Sequence, residues 1–138
     1  MKQHKDIRLE FVRQWLLKAD EDLALSEHLL SESSPYRTAI VFHAHQGAEK
    51  YLKAFLVYHQ CEFNKTHDIR QLLNLVERIN PEIGVSLQDL DELTPYAVET
   101  RYPGDYPDVS DEDAKRAVQL AGKSQKIVTQ TIAGKIKY

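Results

Sequence analysis

Ile40-Val41-Phe42-His43-Ala44-His45-Gln46-Gly47-Ala48-Glu49-Lys50-Tyr51-Leu52-Lys53-Ala54-Phe55 is the stretch that decides the fold. At about 100° per residue, Ile40, Val41, Ala44, Ala48, Tyr51, Leu52 and Phe55 fall on one side of a helix. The other side collects His43, Gln46, Glu49, Lys50 and Lys53 over roughly a third of the circumference. A strand would need alternation with a period of two, and none is present. The spacing therefore predicts a long amphipathic helix, from about Pro35 to His59, at the centre of a helical protein.

The flanking segments repeat the pattern. From about Asp6 to Leu30, the residues Phe11, Val12, Trp15, Leu16, Ala19, Leu23, Ser26 and Leu30 form a second stripe. Asp22 lies inside it. A carboxylate on a buried face calls for a cationic partner, because burying it alone costs several kcal/mol; the alternative is a stripe-edge position that reaches water. Ser31 to Pro35 reads as a turn, with Pro35 suited to open the next helix. Thr66 is a fitting N-cap for a third helix, with His67 and Asp68 in its first turn and Leu72, Leu73, Leu75 and Val76 facing the core. That helix should stop near Asn80-Pro81.

Ser86-Leu87-Gln88-Asp89 resembles a capping box and predicts a shorter helix through Leu90 and Leu93, restarted at Thr94-Pro95. Ser110-Asp111-Glu112-Asp113 caps a long last helix whose stripe is Ala114, Ala117, Val118, Ala121, Val128 and Ile132. No stretch reads as a strand, and no internal repeat appears. The expected fold is an all-α, antiparallel, up-and-down bundle of four to five helices. It forms a single domain over residues 1–138, with its core at about 12–132.

Composition narrows the function. A net charge of -3 and a pI near 6.1 argue against non-specific coating of nucleic acid, which relies on a basic excess. Cys61 is the only cysteine, which excludes an internal disulfide and a cysteine-based zinc site and fits a reducing cytoplasm. The charged start of the chain does not read as a signal peptide, and no apolar run approaches the roughly 20 residues of a membrane span. A soluble, cytoplasmic protein is expected.

Two places could carry chemistry. The polar side of the central helix mixes Lys50 and Lys53 with Gln46 and His43, groups able to hold a phosphate and hydrogen-bond a base. The same pattern also fits a solvated helix face with i,i+4 support from Glu49 to Lys53. The second place is Arg101-Tyr102-Pro103-Gly104-Asp105-Tyr106-Pro107-Asp108. Its prolines fix φ and its glycine allows a turn, so it reads as a stiff loop between helical regions, either a binding element or a connection whose tyrosines cap the core. His43, His67-Asp68 and Asp105 or Asp108 occur in the order of HD-type metal phosphohydrolase ligands. The Thr-His-Asp run suits helix capping better, and no metal or other cofactor is expected.

These motifs combine into a resemblance. His45 to Ala54 is similar to the Gln-x-Ala-Glu-Lys-x-Leu-Lys-Ala pattern in the core helix of HEPN domains, nucleotidyltransferase-associated branch. Thr66-His67-Asp68-Ile69 with Leu72-Leu73 resembles the next helix start of that family. Arg101 to Pro107 resembles the segment before its last helix, and Trp15, Ala19, Asp22 and Leu23 fit its first helix. The match covers roughly Val12 to Ser124. It implies an all-α bundle that commonly forms homodimers and often pairs with a separate minimal nucleotidyltransferase in toxin–antitoxin-like operons.

Several HEPN branches are metal-independent ribonucleases with an Arg-x(4–6)-His motif near the last helices. Here no histidine follows His67. Arg37 and His43 satisfy the formula on the wrong helix and would point about 120° apart. The general acid/base histidine is thus missing, and a nucleotide-binding or interaction module is expected rather than an enzyme. In that expectation Arg101 and Lys50 face phosphate, and Tyr102 or Tyr106 meets a base. Asp22, Glu49 and His67 orient the cations, while His43, Gln46, Lys53, Asp68 and Asp105 complete a polar cleft. If Arg101 instead pairs with Asp22, the motif is structural. Two alternatives stand beside this one: a ribonuclease toxin with a degenerate motif, and a purely structural dimeric scaffold. Leu25, Phe42 and Leu56, off the main stripes, could supply a dimer surface.

Overall fold

The computed structural model describes residues 2–97, 104, 108–132 and 136, with side chains from residue 7 onward, and most of these residues lie in helices. Five α-helices occur among the described residues: α1 (Lys2–Ser31), α2 (Arg37–Tyr58), α3 (Ile69–Ile79), α4 (Pro81–Ser86) and α5 (Asp111–Thr131). A 3-10 helix, Gln88–Tyr96, lies between α4 and α5. No strand is found among the described residues.

α1 and α2 form an antiparallel hairpin, as their contacts show. Arg8 reaches Tyr58 and Ser26 reaches Ile40, in opposite order along the two helices. α5 lies against both. Arg37 pairs with Asp111 at 2.8 Å, and further along α2 and α5 the Asp20 carboxylate of α1 accepts from Tyr51 Oη and from Gln125 Nε2. α2 is therefore the central helix, covered by α1, α5, α3 and the 3-10 helix. Every predicted apolar position of its stripe is buried. α1 passes close to Gly47, where a Cβ would lie 3.4 Å from the Ala19 carbonyl and 3.6 Å from Asp22 Cβ, ordinary contact distances.

On α1, Val12, Leu16, Ala19, Leu23 and Ser26 are buried as their spacing predicts, with Trp15 and Leu30 half-buried. Phe11 is not part of the core and stands largely exposed. α5 begins with the predicted capping box, in which Ser110 Oγ accepts from Asp113 N and Asp113 accepts from Ser110 N. Its core face adds Leu120 and Ser124 to the predicted residues, and Val118 is only half-buried.

Several boundaries differ from the sequence expectation. α2 starts at Arg37, because Ser33 turns with φ 51° and Pro35 stays outside the helix. Asp68, not Thr66, is the N-cap of α3; its carboxylate accepts from Arg70 N while Thr66 Oγ1 accepts from Asp68 N. Asn80-Pro81 ends α3 and also starts α4, with Asn80 Oδ1 accepting from Ile83 N and Pro81 in the first turn. The capping box at Ser86 does not form. Ser86 Oγ donates to the Ile83 carbonyl at the end of α4, and the segment that follows is 3-10, continuous through Pro95. Leu90 and Leu93 are nonetheless buried. Leu56 is fully buried in the core and cannot serve a dimer surface, whereas Leu25 is exposed and Phe42 half-buried.

Candidate functional site

The polar side of α2 is not a solvated face. α1 packs along one flank of it, and the loop between α2 and α3 returns past Glu49. This placement divides the polar residues into two linked groups.

The first group centres on Asp22, a mostly buried α1 carboxylate. It accepts from Lys50 Nζ and, at 2.9 Å, from His43 Nδ1. An ionised carboxylate can only accept, so the His43 proton on this edge sits on Nδ1. Asp22 thus has the cationic partner its place in the stripe demanded, and that partner is Lys50. Gln46 is half-buried one turn from both His43 and Lys50, and its amide makes no hydrogen bond among the described residues.

The second group centres on Glu49, whose side chain is 2% exposed. One oxygen, Oε1, accepts from Lys53 Nζ at 2.7 Å and from His67 Nδ1 at 2.8 Å. His67 is 73% exposed, so a buried carboxylate fixes the tautomer of a solvent-facing imidazole. Lys53 is nearly buried and lies 5.2 Å from the centre of the Trp15 ring and 6.0 Å from that of Phe63.

Behind Glu49 stands His45, fully buried; among the described residues neither ring nitrogen makes a hydrogen bond of normal geometry, and Glu49 Oε2 also lacks a partner. Burial lowers the His45 pKa from 6.5 to about 4. The Glu49 charge and a polar contact with the His67 backbone oppose this, and the His67 and Lys53 charges add to it. At neutral pH the ring is uncharged, so its 3.8 Å approach to Glu49 is a contact rather than an ion pair.

The predicted site residues therefore separate. His43, Gln46, Lys50 and Asp22 share one rim of the α1–α2 seam, and Glu49, Lys53 and His67 the next. Asp68 is engaged as the α3 cap. Arg101, Tyr102, Asp105 and Tyr106 lie outside the described residues, as does any contact of Arg101 with Asp22. Arg37 and His43 diverge as their spacing on a helix requires, Arg37 to Asp111 on α5 and His43 to Asp22 on α1. Among the described residues no group of three or more His, Cys, Asp or Glu side chains is placed to hold a metal ion.

Sequence reasoning passed over His45 as a site residue, although His45, Glu49 and Lys53 stand at successive i,i+4 positions. It also passed over Trp15 as the aromatic cover of Lys53.

Chemically the seam is balanced, with two carboxylates facing two lysines. Its exposed outlets are the imidazoles of His43 and His67, the Gln46 amide and the part of Lys50 that reaches solvent.

The HEPN domain family matches residues 12–130. The crystal structure of an archaeal HEPN homologue superposes with a TM-score of 0.64 at 22% identity, covering 88% of this chain and 97% of that one. No curated protein matches the sequence. No helix among the described residues is long and apolar enough to cross a membrane. With most of its length matched by the family, and the bundle shared with a solved homologue, the chain belongs to the HEPN domain family.

Proposed function

We propose that this HEPN domain is a nucleotide-binding and interaction module. It works as a cytoplasmic homodimer beside a separate minimal nucleotidyltransferase, in a toxin–antitoxin-like pair. The observation that carries the nucleotide reading is the convergence of Lys50 and His43 on Asp22, with the Gln46 amide one turn away and unengaged among the described residues. A lysine held by a carboxylate at a partly open rim can exchange that partner for a phosphate oxygen. The neighbouring imidazole and amide then supply hydrogen bonds to a base or ribose. Arg101, with its bidentate guanidinium, is the residue proposed to hold the phosphate from the loop side, and Tyr102 or Tyr106 the base.

The test is calorimetric titration of the purified chain with ATP and AMP. Lys50→Ala and Arg101→Ala, each shown folded by circular dichroism, should weaken binding by about tenfold or more, the scale of one lost charge-assisted contact. Affinity unchanged in both variants would remove the nucleotide reading. Co-expression with an adjacent nucleotidyltransferase, if one is encoded, tests the pairing: a complex stable through gel filtration is the expected result.

A further inference from the structure

The opening turns of α1, the end of α2, the loop after it and the outer face of α3 enclose a groove of about 1410 Å³. This exceeds the roughly 300–1,000 Å³ usual for a small-molecule pocket. Ile7 and Phe11, one turn apart on α1, are 56% and 53% exposed on its wall. Val57, Phe63 and Leu75 continue the apolar surface. Large apolar side chains gathered in one exposed groove mark an interaction surface.

Two arginines line the same groove, and neither is ion-paired among the described residues. Arg8 donates from Nη1 to the Tyr58 carbonyl at 3.1 Å and lies 5.5 Å from the Tyr58 ring centre, while its Nε is buried with no hydrogen-bond partner among the described residues. Arg78 is exposed on α3. The guanidinium donors of Arg8 beyond its bond to Tyr58, and those of the exposed Arg78, suit a carboxylate or a phosphate.

Three occupants can be weighed. A second copy docked groove to groove would bring the same lining, two arginines and one glutamate, and so no acidic excess to meet Arg8 and Arg78. A nucleic-acid strand would find only two arginines and a floor more aliphatic than aromatic, where a run of cations and stacking rings is needed. A peptide with apolar residues at helical spacing and flanking acids satisfies both features of the groove.

We propose that this groove docks an acidic amphipathic segment of a partner protein, with its apolar side chains against Ile7, Phe11 and Phe63 and its carboxylates on Arg8 and Arg78. The inference rests on the interaction half of the proposed function. Of the groove residues named, only Phe63, 6.0 Å from Lys53, also borders the α1–α2 seam, and neither test substitution falls there, so nucleotide titration and groove binding succeed or fail separately.

Display selection of random peptides of about 16 residues, a helix of roughly 24 Å, against the full chain tests it. The enriched peptides should pair Leu, Ile or Phe at i, i+3 and i+4 with Asp or Glu. Phe11→Glu and Arg78→Glu, both at exposed positions, should each weaken the best peptide by about tenfold while leaving the circular dichroism and Tm unchanged. No enrichment, enrichment of peptides without acidic residues, or indifference to both substitutions would overturn the proposal. So would oligouridylate binding, or a shift from dimer to monomer in light scattering, that Phe11→Glu abolishes or causes; these assign the groove to nucleic acid or to a second copy.

Discussion

A carboxylate as buried as Glu49 is tolerable only while its charge is met. Lys53 and His67 meet it on one oxygen, at 2.7 and 2.8 Å. Replacing Glu49 by Ala leaves Lys53 nearly buried with no carboxylate beside it, and breaking a buried pair from one side costs about 3–5 kcal/mol. Glu49→Ala should lower stability by that order in urea unfolding, and the double replacement Glu49→Leu with Lys53→Met should recover most of it. His45 makes a second, pH-dependent contribution. Its pKa is about 4 in the folded chain against 6.5 for the ordinary group, so between these values the unfolded chain holds the extra proton. Stability from this source is complete above about pH 6.5 and declines as pH falls toward 4, by on the order of 3 kcal/mol in all. The urea midpoint should therefore drop between about pH 7 and pH 4.5, and His45→Gln should flatten that drop; an equal drop in the variant would discard the assignment. The spacing of His45, Glu49 and Lys53 is legible in the sequence. Their burial is not, because the covering groups, Trp15 on α1 and His67 after α2, arrive from distant parts of the chain.

Among the elements, α3 and α4 meet at a corner that only glycine fits. A Cβ on Gly84 would lie 2.6 Å from both Cα and Cβ of Glu77, so the α3 backbone itself would have to move. Gly84→Ala gains up to about 1 kcal/mol in helix propensity and loses about 1–3 kcal/mol to overpacking, a net loss. At Gly47 the nearest atoms are 3.4–3.6 Å away, ordinary contact distances, so Gly47→Ala should be neutral or stabilising by up to about 1 kcal/mol. Thermal melts of the two variants should move in different directions. The long helices were readable because each carries its apolar stripe over several turns, and the Ser110 cap because both halves of its box are written locally. The short elements were not. Asn80-Pro81 has the same composition whether a helix stops or starts there, and α4 shows that it does both. Ser86 offered the letters of a cap, but its hydroxyl turns back to Ile83 because α4 is already in place. The resemblance of the α2 motif identified the family, while the seam's hydrogen bonds became visible only with α1 laid beside it.

At the scale of the whole molecule, α2 leaves no part of the bundle with a core of its own. Its residues contact α1, α5, α3 and the 3-10 helix, and the buried set runs without a break from Val12 to Ile132. Asp20 binds three helices at one point, accepting from Tyr51 of α2 and Gln125 of α5. A chain of this size with a single shared core should unfold in one cooperative step. The fluorescence of Trp15, the only tryptophan, reports the α1–α2 seam, whereas far-UV circular dichroism reports all helices together. The two urea transitions should coincide in midpoint and slope. An earlier fluorescence transition would mean that α1 detaches while α2 and α5 stay packed. That outcome is disfavoured because α1 covers the buried Glu49–Lys53 pair through Trp15, and its departure would wet that pair and the α2 core at once. Asp20→Ala should lower both transitions together by about 1–3 kcal/mol, since the contact it removes joins the three long helices rather than one pair of them.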